Sequence, residues 1–325
     1  MIVKKLKGGS LSSTELHEEN NRHVIKKRIN FSKEREYGFM RWYSQLKKIQ
    51  KYYTEFPDLF PRIYNISYDK DNVILTLEYF AGYEDVKTIL SKNDLDKNQI
   101  KNIVNAIWKA FNRLHSKAHF FIDGAPILYY NEEVKQKLKD AMLNVDFAEF
   151  CKKEEYIFDG EKIFGIYNYL DNLEKFFTSL KISSEENIHG NPTLENILYS
   201  FEENKVIFID LYEESMMDSK YLDYAQILQC SRSHYGYIND RDITVDKNAA
   251  YHTLTIPNNF IVFNKLFEQK LPKKYKKLID VLEATQFIRM LPFKCRAGEI
   301  EKAKFFYLMA CKLLADIFEN GKYTN

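Results

Sequence analysis

Asn187 to Tyr212 reads N-I-H-G-N-P-T-L-E-N-I-L-Y-S-F-E-E-N-K-V-I-F-I-D-L-Y, and the rest of the chain is interpreted outward from it. His189-Gly190-Asn191 opens a loop, and Asn196 follows within the same loop. Val206-Ile207-Phe208-Ile209 is a short run of branched and aromatic side chains, which predicts a buried strand ending on Asp210. An amide on a loop and a carboxylate at a nearby strand end are the oxygen donors needed to hold Mg²⁺ on a nucleotide's phosphates. Mg²⁺ takes oxygen ligands and usually keeps waters and one or two protein oxygens beside the phosphates.

The segment resembles the catalytic core of the aminoglycoside phosphotransferase and choline kinase family, small-molecule relatives of protein kinases. That family carries H-G-D-x-x-x-x-N and then an apolar strand ending I-D. Here H-G-N-P-T-L-E-N matches every fixed position but one, where Asn191 replaces the family's catalytic Asp. The resemblance implies an α+β, two-lobed, protein-kinase-like fold. Its N-lobe, residues 1–80, would be a small antiparallel β-sheet plus one helix; its C-lobe, residues 81–325, would be mainly helical. It further implies ATP or another nucleoside triphosphate as cofactor, Mg²⁺ held by Asn196 and Asp210, and His189 stiffening the loop.

Residues 1–30 read as strand, turn, strand: Ile2 to Leu6, a Gly/Ser turn over residues 8–14, then a strand from His23 to Ile29. In a chain with only 11 glycines, the adjacent pair Gly8-Gly9 stands out. Gly9, Ser10, Ser12 and Ser13 could bring backbone N–H groups against phosphate oxygens, because no bulky side chain blocks the approach. Val24-Ile25-Lys26 resembles the strand that presents the nucleotide-binding lysine in kinases, with Lys26 in that place and Lys27 as the off-by-one alternative. Phe31 to Tyr52 is a helix pattern with Tyr37, Met40, Leu46 and Ile49 as its apolar stripe. Glu36, or less well Glu34, sits where the family pairs a glutamate with that lysine. Strands Ile63 to Tyr68 and Val73 to Phe80 close the small sheet. The segment Leu77-Glu78-Tyr79-Phe80 resembles the hinge that bonds adenine through its backbone, with Gly82 at the lobe boundary.

Asp94 to Ser116 carries apolar residues at three- and four-residue steps (Ile100, Ile103, Val104, Ile107, Phe111, Leu114), the stripe of a buried amphipathic helix. It ends in Leu114-His115, with the histidine read as structural. Residues 124–186 are irregular apart from helices near Asn131 to Leu143 and Ile166 to Leu180. By resemblance this stretch walls the acceptor site. Asp223 resembles a carboxylate that opens the next helix and buttresses the loop, a placement that also suits the helix dipole. From Thr255 onward the chain reads as helical.

Charge balances closely, 48 Lys+Arg against 46 Asp+Glu, which supplies no electrostatic argument for a nucleic acid or an anionic membrane as partner. No 18-residue apolar run predicts a membrane span, and no signal peptide is recognisable, so a cytoplasmic location is expected. Cys151, Cys230, Cys295 and Cys311 show no C-x-x-C or metal spacing and read as buried reduced thiols.

Asn191 decides how far function extends. The family's Asp at this position orients the attacking hydroxyl and accepts its proton. A neutral amide can accept a hydrogen bond, yet it neither takes up a proton at neutral pH nor offers negative charge. A positioned general base contributes roughly 10²–10⁴-fold, so slow turnover with nucleotide binding intact is the expectation. Three readings follow. Asn191 stands where the natural chain has Asp; or the chain is a nucleotide-binding pseudokinase with a scaffold or regulatory role; or it transfers a group, such as a nucleotide, without a base there. By overall layout the chain resembles phosphotransferase-like proteins found with bacterial surface-polysaccharide genes, which makes a hydroxyl on a sugar or amino alcohol the expected acceptor.

Overall fold

The computed structural model describes residues 2–6, 12–30, 40–92, 95–116, 122–182, 187–212, 217–246, 249–250 and 255–319. The protein is mixed α+β. It divides into two compact units: Met1–Val86 with His189–Pro192 and Asn196–Glu214, and Lys87–Ile188 with Thr193–Glu195 and Ser215–Asn325. Sequence reasoning sets the division at residue 80 and puts the whole catalytic loop in the second part. Contacts instead assign most of that loop, and the strand ending at Asp210, to the first unit.

In the first unit the chain runs β1 (Ile2–Leu6), β2 (Ser12–Glu19), β3 (Arg22–Asn30), α1 (Met40–Glu55), β4 (Ile63–Tyr68), β5 (Asn72–Glu78) and β6 (Glu84–Asp85). Five of these strands form an antiparallel sheet in the order β1-β2-β3-β5-β4. Ser12 and Ser13, expected in a turn, begin β2 and pair with Ile29 and Arg28. Between β2 and β3 a tight turn falls at Asn20-Asn21, where both residues adopt the left-handed conformation that asparagine tolerates. Gly9, Ser10, Glu34 and Glu36 lie outside the described residues.

The sheet's core follows from strand periodicity. Alternate β3 side chains share a face, and Ile29 joins Trp42 and Leu46 of α1 with Val73, Leu75 and Leu77 of β5 in one buried cluster; Ile25 packs against it. Each such side chain contributes about 1.5–3 kcal/mol by leaving water. Of the expected α1 stripe, Leu46 is buried but Met40 is exposed, and Trp42 and Tyr52 are buried in addition; Tyr37 lies outside the described residues.

The second unit begins with α2 (Val86–Leu90) and α3 (Lys97–Leu114). Asp96 caps α3 by accepting the Asn98 and Gln99 N–H groups, and the Gln99 side chain returns to the Asp96 backbone, a capping box. Helices α4 (Ala125–Tyr129) and α5 (Lys137–Ala141) are joined by a π-helical segment, Tyr130–Gln136. Next come α6 (Val145–Cys151), the hairpin β7 (Glu155–Phe158) and β8 (Glu161–Phe164), and α7 (Leu170–Ser179). That hairpin was not anticipated; its strands are four residues each, too short for alternation to register. The strands β9 (Ile197–Ser200) and β10 (Lys205–Phe208) belong to the first unit and form a sheet with β6.

Helices α8 (Lys220–Ser231), α9 (Tyr235–Asn239), α10 (Asn258–Glu268), α11 (Lys276–Arg296) and α12 (Ile300–Phe318) follow, with the short strand β11 (Ala249–Ala250) before α10. Residues Tyr221 to Ser231 of α8 are all buried, and α11 is buried on every face from Leu278 to Arg289. Helices apolar or buried all round form the centre of a core. Their charged residues must therefore be paired: Asp223 bonds His115 at 2.9 Å, Arg289 bonds Glu133 at 2.8 Å, and Arg232 gathers Glu268, Asp280 and Glu283. All four cysteines are free and buried. Among the described residues no helix is long and apolar enough to cross a membrane.

Candidate functional site

The site is built on the β9–β10 hairpin. Ile197 pairs with Phe208, and the Ile209 N–H continues the ladder by donating to the Asn196 carbonyl at 3.0 Å. Asn196 and Asp210 therefore leave the same open end of the hairpin. Asp210 has φ +53°, a left-handed conformation uncommon for a residue with a side chain. Strain of this kind persists only where the surroundings enforce it, and it concentrates at functional sites.

The loop before the hairpin is tied on both sides. Asn196 Nδ2 donates to the Asn191 carbonyl at 2.9 Å, and the Asn191 N–H donates to His189 Nδ1 at 3.2 Å. The Tyr212 N–H donates to the His189 carbonyl at 3.1 Å. His189 is fully buried, its ring edge-on to Phe208. Gly190 has φ +80°, and a Cβ there would meet the Tyr212 Cβ at 2.9 Å, so this turn requires glycine. The Lys48 ammonium of α1 lies 3.7 Å from the same point. Neither Lys48 nor Tyr212 carries a sequence signal that would have picked it out.

Lys27, rather than Lys26, reaches Asp210: Lys27 Nζ donates to Asp210 Oδ1 at 2.6 Å. Lys26 pairs with Glu19 of β2. The reason is strand parity. Ile25, Lys27 and Ile29 alternate onto the face that packs α1, while Lys26 points the opposite way with Val24. Counting back in twos from the apolar Ile29 would have selected Lys27. The Lys27 side chain is 15% exposed and that of Asp210 is 38% exposed, so the carboxylate stays within reach of solvent. Burial pushes the Asp210 carboxyl up, but the ammonium beside it more than reverses this and holds it below the ordinary carboxylate value.

The expected hinge is partly engaged within the first unit itself. The Glu78 N–H donates to the Arg62 carbonyl, its carboxylate accepts the Arg62 N–H, and the Phe80 carbonyl accepts from Tyr83. Among the described residues no group of three or more His, Cys, Asp or Glu is arranged to hold a metal. One carboxylate and one amide are a donor set for a hard cation that brings most of its own oxygens, as Mg²⁺ does with phosphates and water. No family model matches the chain, and no curated protein matches it.

Proposed function

We propose that this protein binds a nucleoside triphosphate, ATP for preference, with Mg²⁺, and directs its terminal phosphoryl group to a hydroxyl on a sugar or amino alcohol. The observation that carries the reading is the Lys27–Asp210 pair at 2.6 Å, set beside the tied loop of His189, Asn191 and Asn196. Phosphoryl transfer needs positioning and charge neutralisation more than covalent chemistry. A lysine at a strand centre and a carboxylate at a strand end supply one cation for phosphate oxygens and one anion for a metal. The matching fold reading is a two-lobed, kinase-like arrangement.

In this mechanism Lys27 binds phosphate oxygens and orients Asp210. Asp210 and Asn196 would hold Mg²⁺, which when bound would supply charge neutralisation for the phosphates. His189 fixes the loop through its Nδ1 and carbonyl oxygen, which holds the Asn191 backbone in register. The Asn191 amide oxygen would accept a hydrogen bond from the acceptor hydroxyl and orient it. As the hydroxyl oxygen bonds the terminal phosphorus and the bond to the departing nucleoside diphosphate breaks, the hydroxyl proton passes to a phosphate oxygen or to water. The neutral group at 191 equally suits a nucleotide-binding protein that does not turn over.

Thermal melting tests the reading. ATP with Mg²⁺ should raise Tm, ATP without metal should raise it less, and Asp210→Asn should remove the metal-dependent part. A ligand at about a hundred times its Kd stabilises by roughly 2.7 kcal/mol. If ATP leaves the melt unchanged with and without Mg²⁺, the nucleotide reading is wrong.

A further inference from the structure

We propose that the lysine-rich turn between α10 and α11 docks this protein on an anionic phospholipid surface. From Lys265 to Lys277 the chain carries Lys265, Lys270, Lys273, Lys274, Lys276 and Lys277 against one carboxylate, Glu268. Six cations against one anion give this stretch a net charge of +5, whereas the whole chain carries +2. The near balance of the full sequence therefore conceals a local excess of positive charge.

The second unit leaves that excess unneutralised. Glu268 is committed to Arg232 at 2.9 Å. Lys276 reaches Asp280 at 3.8 Å, but Asp280 is itself buried against Arg232. Lys265, Lys273 and Lys274 are exposed, and neither they nor Lys270 make an ion pair among the described residues. Every lysine of α12, by contrast, has a carboxylate partner: Lys302 with Glu299, Lys304 with Glu301, and Lys312 with Asp316.

These lysines do not serve the fold. Lys273 and Lys274 open a 3₁₀ turn directly ahead of α11, whose first turn holds Lys276 and Lys277 and no acidic residue. The helix dipole opposes cations at that end, and neighbouring like charges repel. A cluster that weakens its own helix start points to a partner outside the chain.

The chemistry of the cluster selects the partner. The stretch holds lysines and no arginine. A lysine is a point charge without the planar fork that reads phosphates and bases in a fixed geometry, so the cluster responds to the density of negative charge. Its aromatic rings are already engaged: Tyr275 lies on Tyr221 with centroids 4.6 Å apart, and the Lys274 and Lys220 ammonium groups stand 5.3 and 5.6 Å from those two rings. Single-stranded nucleic acid calls for open ring faces on which bases stack. Ile261, 42% exposed, stands one helical turn before Lys265 on the same face of α10. An apolar side chain beside a basic cluster is the combination that binds a bilayer interface, and clusters of this size are attracted to anionic headgroups.

The test is partitioning of the full chain onto phosphatidylcholine vesicles with and without phosphatidylserine. Binding should require phosphatidylserine and fall as salt shortens the range of the attraction. Each lysine near such a surface strengthens binding about fivefold, so Lys273→Gln with Lys274→Gln should weaken partitioning about 25-fold. Lys97→Gln with Lys101→Gln removes the same charge from exposed positions of α3 and should leave partitioning unchanged. Should the first pair lower Tm, Lys265→Gln with Lys270→Gln decides by the same loss. No binding to phosphatidylserine vesicles at low salt, or equal losses from the α3 pair, would overturn the proposal. Binding of a single-stranded oligonucleotide through Lys273 and Lys274, with the vesicles left unbound, would put a nucleic acid in the lipid's place and overturn it as well.

Discussion

Lys27 Nζ and Asp210 Oδ1 lie 2.6 Å apart although 183 residues separate them in the chain. A strand of the five-stranded sheet and the end of a separate hairpin are brought together at this one ion pair. Its charge order, an enclosed ammonium beside a solvent-reachable carboxylate, is the core of the proposed nucleotide site.

Lys27→Met should weaken Mg²⁺–ATP binding by on the order of tenfold to a hundredfold, the value of a hydrogen bond to a charged group at about 1.5–3 kcal/mol. Lys26→Met removes only a surface pair with Glu19, worth about 0–1 kcal/mol in stability, and should leave nucleotide binding untouched. Calorimetric titration of both variants separates them. Equal losses from the two would refute the parity argument.

Asn191→Asp should raise phosphoryl transfer by on the order of 10²-fold or more while leaving the ATP-dependent Tm rise nearly unchanged. Single-turnover assays with sugar and amino-alcohol acceptors read the rate. If both forms bind Mg²⁺–ATP but neither transfers to any acceptor, the nucleotide-binding scaffold becomes the better reading.

Gly190→Ala should destabilise the protein by about 1–3 kcal/mol from the left-handed backbone alone. The 2.9 Å approach to the Tyr212 Cβ adds to that cost. The denaturation midpoint should fall, with loop function lost ahead of global unfolding. An unchanged midpoint would show that the turn relaxes without cost.

The Arg232 cluster predicts a pH dependence. Burial and the nearby Asp280 raise the Glu283 pKa, opposing the pull of the guanidinium, for which Glu268 and Asp280 also compete. The folded state therefore holds the Glu283 proton more tightly than the unfolded chain, and unfolding releases it. Stability should fall as pH rises from the ordinary glutamate value through the raised one. Glu283→Gln should flatten that limb in urea melts at a series of pH values. Arg232→Met, which strands the carboxylates, should cost on the order of 3–5 kcal/mol.

Several features are local enough to be legible in the chain. The stripe of α3, from Ile100 to Leu114, announces a buried helix because the period of 3.6 is repeated over four turns. The strand before Asp210 and the pairing of β4 with β5 follow from β-branched runs between turn residues. The His189-Gly190-Asn191 turn and the spacing to Asn196 and Asp210 were likewise readable from residue type alone. Strand β2 was hidden, because S-S-T-E-L-H-E-E has one strongly apolar residue and is held by neighbours on both sides rather than by its own pattern.

By itself the sequence determined the strongly periodic elements, such as α3 and the strand before Asp210, and which residue types gather near the loop, since periodicity, turn chemistry and spacing are properties of neighbours along the chain. Only the tertiary structure decided that Lys27 and not Lys26 meets Asp210, that Lys87 closes on Glu195 and Asp240, and that Lys48 and Tyr212 flank Gly190. Those partnerships join residues far apart in sequence. A side chain's face and its partner's position are set by packing of whole elements, and a one-residue change of parity in a strand reverses which lysine faces the carboxylate.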